Sequence, residues 1–273
     1  MEEIIGIIAG NGGLPELLLK EAKKAGYRVV LCAVEGEAEK ELTRFADAVE
    51  WIRVGQLGRL VRFFKREGVR KTMMSGKIRK TNLFRGEVRP DLEMIKVLAN
   101  VRDHSDDSLL GGIAKYLDGQ EMPLLSSTTF LSEEALPKRG VLTKRKPSKA
   151  ECRDIEFGWK LAKAMGRLDI GQTVVVKHQA VLAVEAIEGT DEAILRGGEL
   201  GAGGVTVVKV SKPNQDFRFD VPTVGMTTLD AMIQARAHVL AIEARRTILL
   251  DRDRFVQKAN ANKIAVICEE SVE

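Results

Sequence analysis

Residues 4 to 34 leave few architectures open. Ile4 to Ala9 is a short apolar run, Gly10-Asn11-Gly12-Gly13-Leu14-Pro15 interrupts it, and a helical pattern through Leu17, Leu18, Ala22 and Ala25 leads past Gly26 into a second apolar run, Val29 to Val34. Pro15 suits the first turn of a helix and Gly26 suits its end, so the order is strand, glycine turn, helix, strand. Two strands joined by such a crossover run parallel and connect with a right-handed sense. The alternation continues with strands over Val49 to Val54 and Arg70 to Met74, a helix over Leu57 to Glu67 between them, helices over 90–116, and a last strand from Pro123 to Leu131.

A glycine turn at the carboxyl end of the first strand presents backbone N–H groups and a helix N-terminus to an anion, which makes Gly10, Asn11, Gly12 and Gly13 candidate phosphate contacts. The spacing is G-x-G-G rather than G-x-G-x-x-G, and no Lys-Ser/Thr pair follows, so the turn alone names no cofactor. Glu35 lies about twenty residues on, where a dinucleotide-binding fold places its ribose-binding acid. Ser75-Gly76-Lys77 follows the strand ending at Met74, so in a parallel sheet Gly76 and Lys77 reach the same edge as the first turn. A plain tight turn, with Lys77 solvated beside Arg79 and Lys80, accounts for the same residues. Asp106 and Asp107, with Asp103 nearby, precede a helical run from Ser108 to Leu117, where carboxylates complement the helix dipole.

The second half changes pattern. Leu136 to Lys149 holds Pro137, Gly140, Pro147 and six Lys/Arg residues, the composition of a connection. Ser148-Lys149-Ala150-Glu151 is a capping box opening an amphipathic helix. From Gly171 the period becomes two, giving a hairpin of Thr173 to Lys177 and Val181 to Ala186. Thr190 is placed to cap a short helix, and Gly197, Gly198, Gly201, Gly203 and Gly204 form a connection before a strand over Val205 to Val210. Thr227 or Thr228 is expected to cap a long helix through Ala244, with strands over Thr247 to Leu250 and Ile264 to Cys268 around a final helix. The expected fold is therefore α/β in two domains: a Rossmann-like parallel-sheet domain over 1–135, a linker over 136–149, and a mixed α/β domain over 150–273.

The strand ending at Val210 delivers Lys212-Pro213-Asn214-Gln215-Asp216-Phe217-Arg218-Phe219-Asp220-Val221-Pro222-Thr223. Two carboxylates, two cations and two amides crowd between prolines that disfavour helix and central strand, which describes an ordered loop with converging polar side chains. Gln172, Glu188 and Asp191 are candidates to lie near it, where amide and carboxylate oxygens orient a phosphate or a divalent ion.

Composition narrows the partners. With 44% hydrophobic and 30% charged residues and a net charge of +4, the chain has a mild preference for anions but no nucleic-acid-binding signature. Cys32, Cys152 and Cys268 have no C-x-x-C spacing, and His104, His178 and His238 are isolated, so neither a disulfide framework nor a zinc site is indicated. Without a leader-like start or eighteen successive apolar residues, the expected location is the cytoplasm.

Four segments in series carry a family resemblance: Ile7 to Pro15, Leu168-Asp169-Ile170-Gly171-Gln172, Ala183 to Asp191 with its Glu-Gly-Thr-Asp, and Lys212 to Gly225 with its Lys-Pro-x-Gln-Asp-x-Arg-Phe-Asp-x-Pro-Thr. Together they resemble the metal-dependent UDP-2,3-diacylglucosamine pyrophosphatases of lipid A biosynthesis, in the family that has a glycine-loop N-terminal domain. The resemblance implies hydrolysis of the phosphoanhydride to UMP and 2,3-diacylglucosamine 1-phosphate with Mg²⁺ or Mn²⁺. It implies a UDP-linked lipid as partner, contact with the inner membrane surface, and substrate bound between two domains, with self-association open. It assigns the essential aspartate to Asp220. Within these segments Gly10, Asn11, Gly12, Gly13, Gln172, Thr190, Lys212, Gln215 and Thr223 are candidate substrate contacts, Gly76 and Lys77 join them from their place at the sheet edge, and oxygen-ligand chemistry makes Asp191, Asp216 and Asp220 candidate metal ligands. Arg236, Val239 and Arg245 stand where this family commonly has glycine, in what reads as the C-terminal helix and its following turn. Two other readings use the same residues: an NAD(P)-dependent oxidoreductase, from the glycine turn and Glu35, and a non-catalytic nucleotide- or lipid-binding protein.

Overall fold

The computed structural model describes residues 3–78, 90–101, 106–213 and 215–270. Arg79, Lys80, Asp103, His104 and Asn214 lie outside the described residues, as do the side chains of Asp106 and Asp107. The chain divides into two units, one of Met1–Leu131 with Asp216–Asp220 and one of Ser132–Gln215 with Val221–Glu273.

In the first unit β1 (Ile4–Ala9), α1 (Leu14–Lys24), β2 (Arg28–Val34), β3 (Ala48–Ile52), α2 (Leu57–Arg66) and β4 (Lys71–Ser75) alternate as expected. They are followed by α3 (Leu92–Asn100) and α4 (Asp106–Gly119). The four strands form a parallel sheet in the order β3-β2-β1-β4. Strands buried on both faces read as continuous apolar runs, which is why β1 and β2 were legible as such. Phe64, Leu117, Met122 and Leu124 belong to the core cluster of this unit, and Phe219 packs against it. The expected strand over 123–131 is reduced to a single bridge between Thr72 and Leu124.

The second unit holds a six-stranded mixed sheet. In chain order its elements are β5 (Gly140–Val141), α5 (Lys149–Arg167), β6 (Thr173–Lys177), β7 (Ala180–Val184), α6 (Thr190–Leu200), β8 (Thr206–Lys209), β9 (Thr223–Val224), α7 (Met226–Gln234), β10 (Val239–Glu243), β11 (Ile248–Leu249), α8 (Arg252–Ala261) and β12 (Ala265–Glu269). The sheet order is β5-β12-β10-β8-β6-β7, and β9 pairs with β11 apart from it. Helix α5 opens on the predicted capping box of Ser148 and Glu151 and packs on β6 and β8.

Several expectations change here. The segment 136–149 belongs to the second unit: Gly140 and Val141 pair with β12, and the Lys144 amide donates to Asn260 Oδ1 at 2.7 Å. Its Pro, Gly and charged residues suit a short, blunted edge strand as well as a linker. The helix expected to run from Thr227 or Thr228 to Ala244 stops at Gln234, and Val239–Glu243 is a fully buried strand between β8 and β12. Gly225, not a threonine, takes its N-cap position. Arg236 and Arg245 therefore do not share a helix with Val239; they turn the chain at φ of 50° and 58°, before and after β10. Thr190 is the first helical residue of α6, with Gly189 as its N-cap. Gly197 and Gly198 lie inside α6, buried against Val175 and Ala235, so the connection to β8 starts only at Gly201.

Candidate active site

In the first unit β2 and β3 lie on one side of β1 and β4 on the other. The chain thus reverses its winding between β1 and β4, and ligands of open α/β sheets bind outside the carboxyl ends of strands at such a switch point. Both predicted glycine loops are there. The Gly10 amide donates to Ser75 O at 2.8 Å, the Asn11 amide to Lys77 O at 2.8 Å, and the Lys77 amide back to Asn11 O at 2.9 Å. Gly76 has φ +83°, and a Cβ on it would stand 2.7 Å from Asn11 O, so only glycine fits. Gly12, Gly13, Gly76 and Lys77 are exposed. Among the described residues no side chain bonds at the N-cap of α1, Gly13, and the first-turn N–H groups of a helix are of the kind that favour an anion. Glu35 forms an exposed ion pair with Arg53 at 3.2 Å.

Residues 216–220 fold with this same unit. The buried Ser127 hydroxyl is shared between Met74 O at 2.8 Å and Arg218 O at 3.0 Å, and its amide donates to Phe217 O at 3.0 Å. Ser126 Oγ donates to Phe217 O at 3.1 Å. Met74 is the penultimate residue of β4, so these bonds bring the acidic segment to the edge that carries the glycine loops. Within it, Arg218 forks onto Asp216 through Nε at 3.0 Å and Nη2 at 2.7 Å, while the Phe219 and Asp220 amides donate to Asp216 O at 3.2 and 3.0 Å. The guanidinium of Arg218 holds the Asp216 carboxyl below the usual carboxylate range. Asp220 is half-buried, one turn after Asp216.

The second unit holds the rest of the loop. Lys212 Nζ donates to Asp169 Oδ1 at 2.6 Å, and its amide donates to Gln215 Oε1 at 2.7 Å. Among the described residues the buried Gln215 Nε2 and Gln172 Oε1 meet no hydrogen-bond partner, and the Gln172 backbone carbonyl accepts from the Val210 amide at 3.0 Å. Thr190 is buried, its hydroxyl donating to Glu185 Oε1 at 2.8 Å and accepting from Lys209 Nζ at 3.0 Å. Asp191 Oδ1 accepts from Thr228 Oγ1 at 2.9 Å, Glu188 pairs with Arg196, and Thr223 Oγ1 donates to Val221 O at 3.0 Å.

Among the described residues no three His, Cys, Asp or Glu side chains gather to hold a metal ion. Both Asp216 oxygens face Arg218, and Asp191 belongs to the other unit.

Sequence reasoning missed Ser126, Ser127, Lys163, Glu185, Lys209, Ser211 and Glu243 as site-supporting residues. Lys209 carried a usable signal, being a cation inside the apolar run from Val205 to Val210 that is only 1% exposed.

A parallel four-stranded sheet with a glycine turn at its switch point, an acidic segment fastened to the same edge and a second unit built on a mixed six-stranded sheet define a two-unit α/β protein. The particular family follows from comparison. Residues 4–134 match the LpxI N-terminal domain and residues 138–267 the LpxI C-terminal domain. The chain is 30% identical over 268 residues to the UDP-2,3-diacylglucosamine pyrophosphatase LpxI of Caulobacter vibrioides, covering 94% of each chain. It belongs to the LpxI family. Among solved structures, the Bordetella bronchiseptica enzyme WbmG in complex with NAD is 18% identical with a TM-score of 0.30, covering 45% of this chain and 36% of that one. The biotin carboxylase domain of Hydrogenobacter thermophilus 2-oxoglutarate carboxylase is 12% identical with a TM-score of 0.28, covering 72% and 41%.

Proposed function

We propose that this chain hydrolyses the phosphoanhydride of UDP-2,3-diacylglucosamine, releasing UMP and 2,3-diacylglucosamine 1-phosphate, in lipid A biosynthesis. The observation that carries the reading is the match to a named pyrophosphatase along nearly the whole chain, together with an acidic segment fastened beside two glycine loops. The exposed loop at Gly12 and Gly13, the start of α1 and Lys77 bind and neutralise the diphosphate, while the Gly10 and Asn11 amides, engaged by Ser75 O and Lys77 O, hold the loop in place. Asp220 orients the attacking water or holds the cation. Mg²⁺ or Mn²⁺, when bound, supplies charge neutralisation at the phosphoryl oxygens. Asp216 is held ionised by Arg218 and keeps the turn that sets Asp220. In the second unit Lys212, Gln215, Gln172, Thr190 and Thr223 are the proposed further contacts of the substrate.

We place the reaction in the cytoplasm at the inner membrane surface, because the substrate joins a water-soluble nucleotide to acyl chains. Among the described residues no helix is long and apolar enough to cross a membrane. The oxidoreductase alternative rested on the glycine turn and Glu35. Arg53 pairs with Glu35, and family membership favours the hydrolase.

The deciding experiment incubates the intact protein with UDP-diacylglucosamine, with and without Mg²⁺, and identifies both products. UMP and the lipid 1-phosphate are expected, with turnover lost in chelator and restored by the cation. Intact substrate under all conditions sinks the reading, and undiminished turnover in chelator sinks the metal requirement. Labelled water identifies the phosphorus attacked.

A further inference from the structure

The amino ends of β8, β10 and β12 share one edge of the second unit, because these strands run parallel, and the end of antiparallel β6 joins them there. Contacts link the residues of this edge in series. Lys177, at the end of β6, donates through Nζ to Gly201 O at 2.7 Å and Gly203 O at 2.9 Å. The Gly204 amide donates to Arg236 O at 2.7 Å, and a Cβ on Gly204 would stand 3.5 Å from His238 Cε1. Arg145 reaches His238 O through Nη1 at 3.1 Å, and the Lys144 and Lys263 amides both bond Asn260. Six strands spaced about 4.8 Å apart make the edge about 24 Å long.

The charge here is one-sided. Lys144, Lys146, Lys149, Arg236 and Lys263 are exposed, and none enters an ion pair among the described residues. Arg236 and Lys263 turn the chain at φ of 50° and 56°, where glycine fits without strain, so the backbone gives no reason for a cation at either place. Of the carboxylates, Glu151 is held by Arg145 and the Ser148 amide, and Asp154 is buried under the His178 and Gln179 amides. Glu199, near the end of α6, is exposed. Aliphatic side chains flank the cations. Leu200 is 65% exposed and Val181 43%, on segments that touch, since a Cβ on Gly201 would meet Leu182 Cδ1 at 2.6 Å.

Cations beside exposed aliphatic groups suit the surface of an anionic bilayer, where the aliphatic groups enter the headgroup boundary and Lys or Arg meet the lipid phosphates. Nucleic acid would leave Leu200 and Val181 without a role, and no aromatic residue among those described is exposed for a base to stack on. We propose that this edge, with Lys144, Lys146, Lys149, Arg236 and Lys263 around Leu200 and Val181, docks the protein on an anionic bilayer. The proposal rests on the reading that sets the reaction at a membrane surface, and it names the face that meets that surface.

The test is flotation of the full chain with vesicles of phosphatidylethanolamine and phosphatidylglycerol, and with vesicles of phosphatidylcholine alone. Binding is expected on the anionic vesicles and not on the zwitterionic ones, and is expected to weaken as salt screens the attraction. Each cation near such a surface is worth about fivefold in affinity, so Lys146→Gln with Lys263→Gln is expected to weaken binding about 25-fold. Leu200→Ser is expected to weaken it about tenfold by removing an inserted side chain. Arg167→Gln with Arg254→Gln removes as much charge toward the carboxyl ends of the strands and is expected to change binding less than about twofold. All these side chains are exposed, so the variants keep the fold. Equal flotation on phosphatidylcholine, equal losses from the two charge pairs, or parental binding by the lysine pair or by Leu200→Ser overturns the proposal. Binding of single-stranded RNA through the same lysines, without flotation, makes this a nucleic-acid face and also overturns it. Flotation needs no turnover, so a parent that floats and releases no UMP overturns the hydrolase reading while upholding the docking face.

Discussion

Gly10 lies so close to Lys77 that a Cβ on the glycine would come within 2.5 Å of the Lys77 carbonyl oxygen. Because the obstacle is backbone held by the paired bonds of Asn11 and Lys77, it cannot swing aside as a side chain would. Gly10→Ala is expected to destabilise the first unit by about 1–3 kcal/mol, the usual range for overpacking, and to lower UMP release with it. Gly12 has no neighbour within 4 Å of its Cβ position, so Gly12→Ala carries only the strain of its φ of +111°. Urea titration of the two variants checks the order, and equal stability of Gly10→Ala and the parent would show that the loops separate readily.

Asp220→Asn keeps size and hydrogen bonding and removes charge. Loss of a positioned acid-base or metal-linked carboxylate is expected to lower turnover by about 10²-fold or more, with substrate binding surviving better than rate. Single-turnover UMP release and substrate retention measure the two separately. A folded variant with near-parental release would take Asp220 out of the mechanism.

The turn over 216–220 is expected to depend on acid. Arg218 depresses the Asp216 carboxyl in the folded state, so its stabilising contribution is complete above the unfolded value of about 4 and is lost as pH falls through the folded value. Amide protection at Phe219 and Asp220, both bonded to Asp216 O, is thus expected to hold from neutrality to about pH 4 and to decline below it. Asp216→Asn should abolish that pH dependence; an identical profile in the variant would assign the acid sensitivity to another group.

Much of this was legible in the sequence where a single periodicity dominated. Ile4–Ala9, the glycine turn and Pro15 determine a strand, a switch-point loop and a helix start, and a parallel sheet then brings Gly76 and Lys77 to Gly10 without further information. Val239–Glu243 was not legible, because a short apolar run after an alanine-rich helix continues the helical pattern as readily as it begins a strand. The turn that separates them rests on Arg236 in a left-handed conformation, a place where glycine is the usual marker. The contacts of Lys209 and Glu243 were hidden for another reason. Lys209 meets Thr190 and Thr223, and Glu243 meets Lys163, across intervals that only the sheet order brings together.

Arg245→Gly is expected to stabilise the second unit. Left-handed backbone costs an L residue about 1–2 kcal/mol, and the added chain entropy of glycine offsets about 0.5–1 of it. The Arg245 amide keeps its bond to Pro137 O at 2.9 Å in either case. A raised unfolding midpoint by differential scanning calorimetry supports this, and a lowered one would show that the arginine side chain contributes more than its backbone costs.

The three cysteines are expected to separate by reactivity. Burial pushes the Cys268 thiol up to about 12 and the Cys32 thiol still higher, whereas Cys152 is exposed on α5. Alkylation near pH 8 followed by peptide mass analysis should label Cys152 alone in the folded protein and all three after denaturation. Native-state labelling of Cys32 would reveal an opening of the parallel sheet at β2.

Residues 216–220 complete a unit whose other residues end at Leu131. During synthesis the first sheet therefore leaves the ribosome before the segment that Ser126 and Ser127 bind, and at about 5–20 residues per second their partners arrive several seconds later. Until then the carboxyl edge beside β4 lacks the strap that carries Asp220. The protein is thus assembled in an order that withholds the 216–220 segment until most of the second unit has also been made, and a nascent chain arrested soon after Leu131 should show fast exchange at the Ser127 amide that slows once translation passes Asp220.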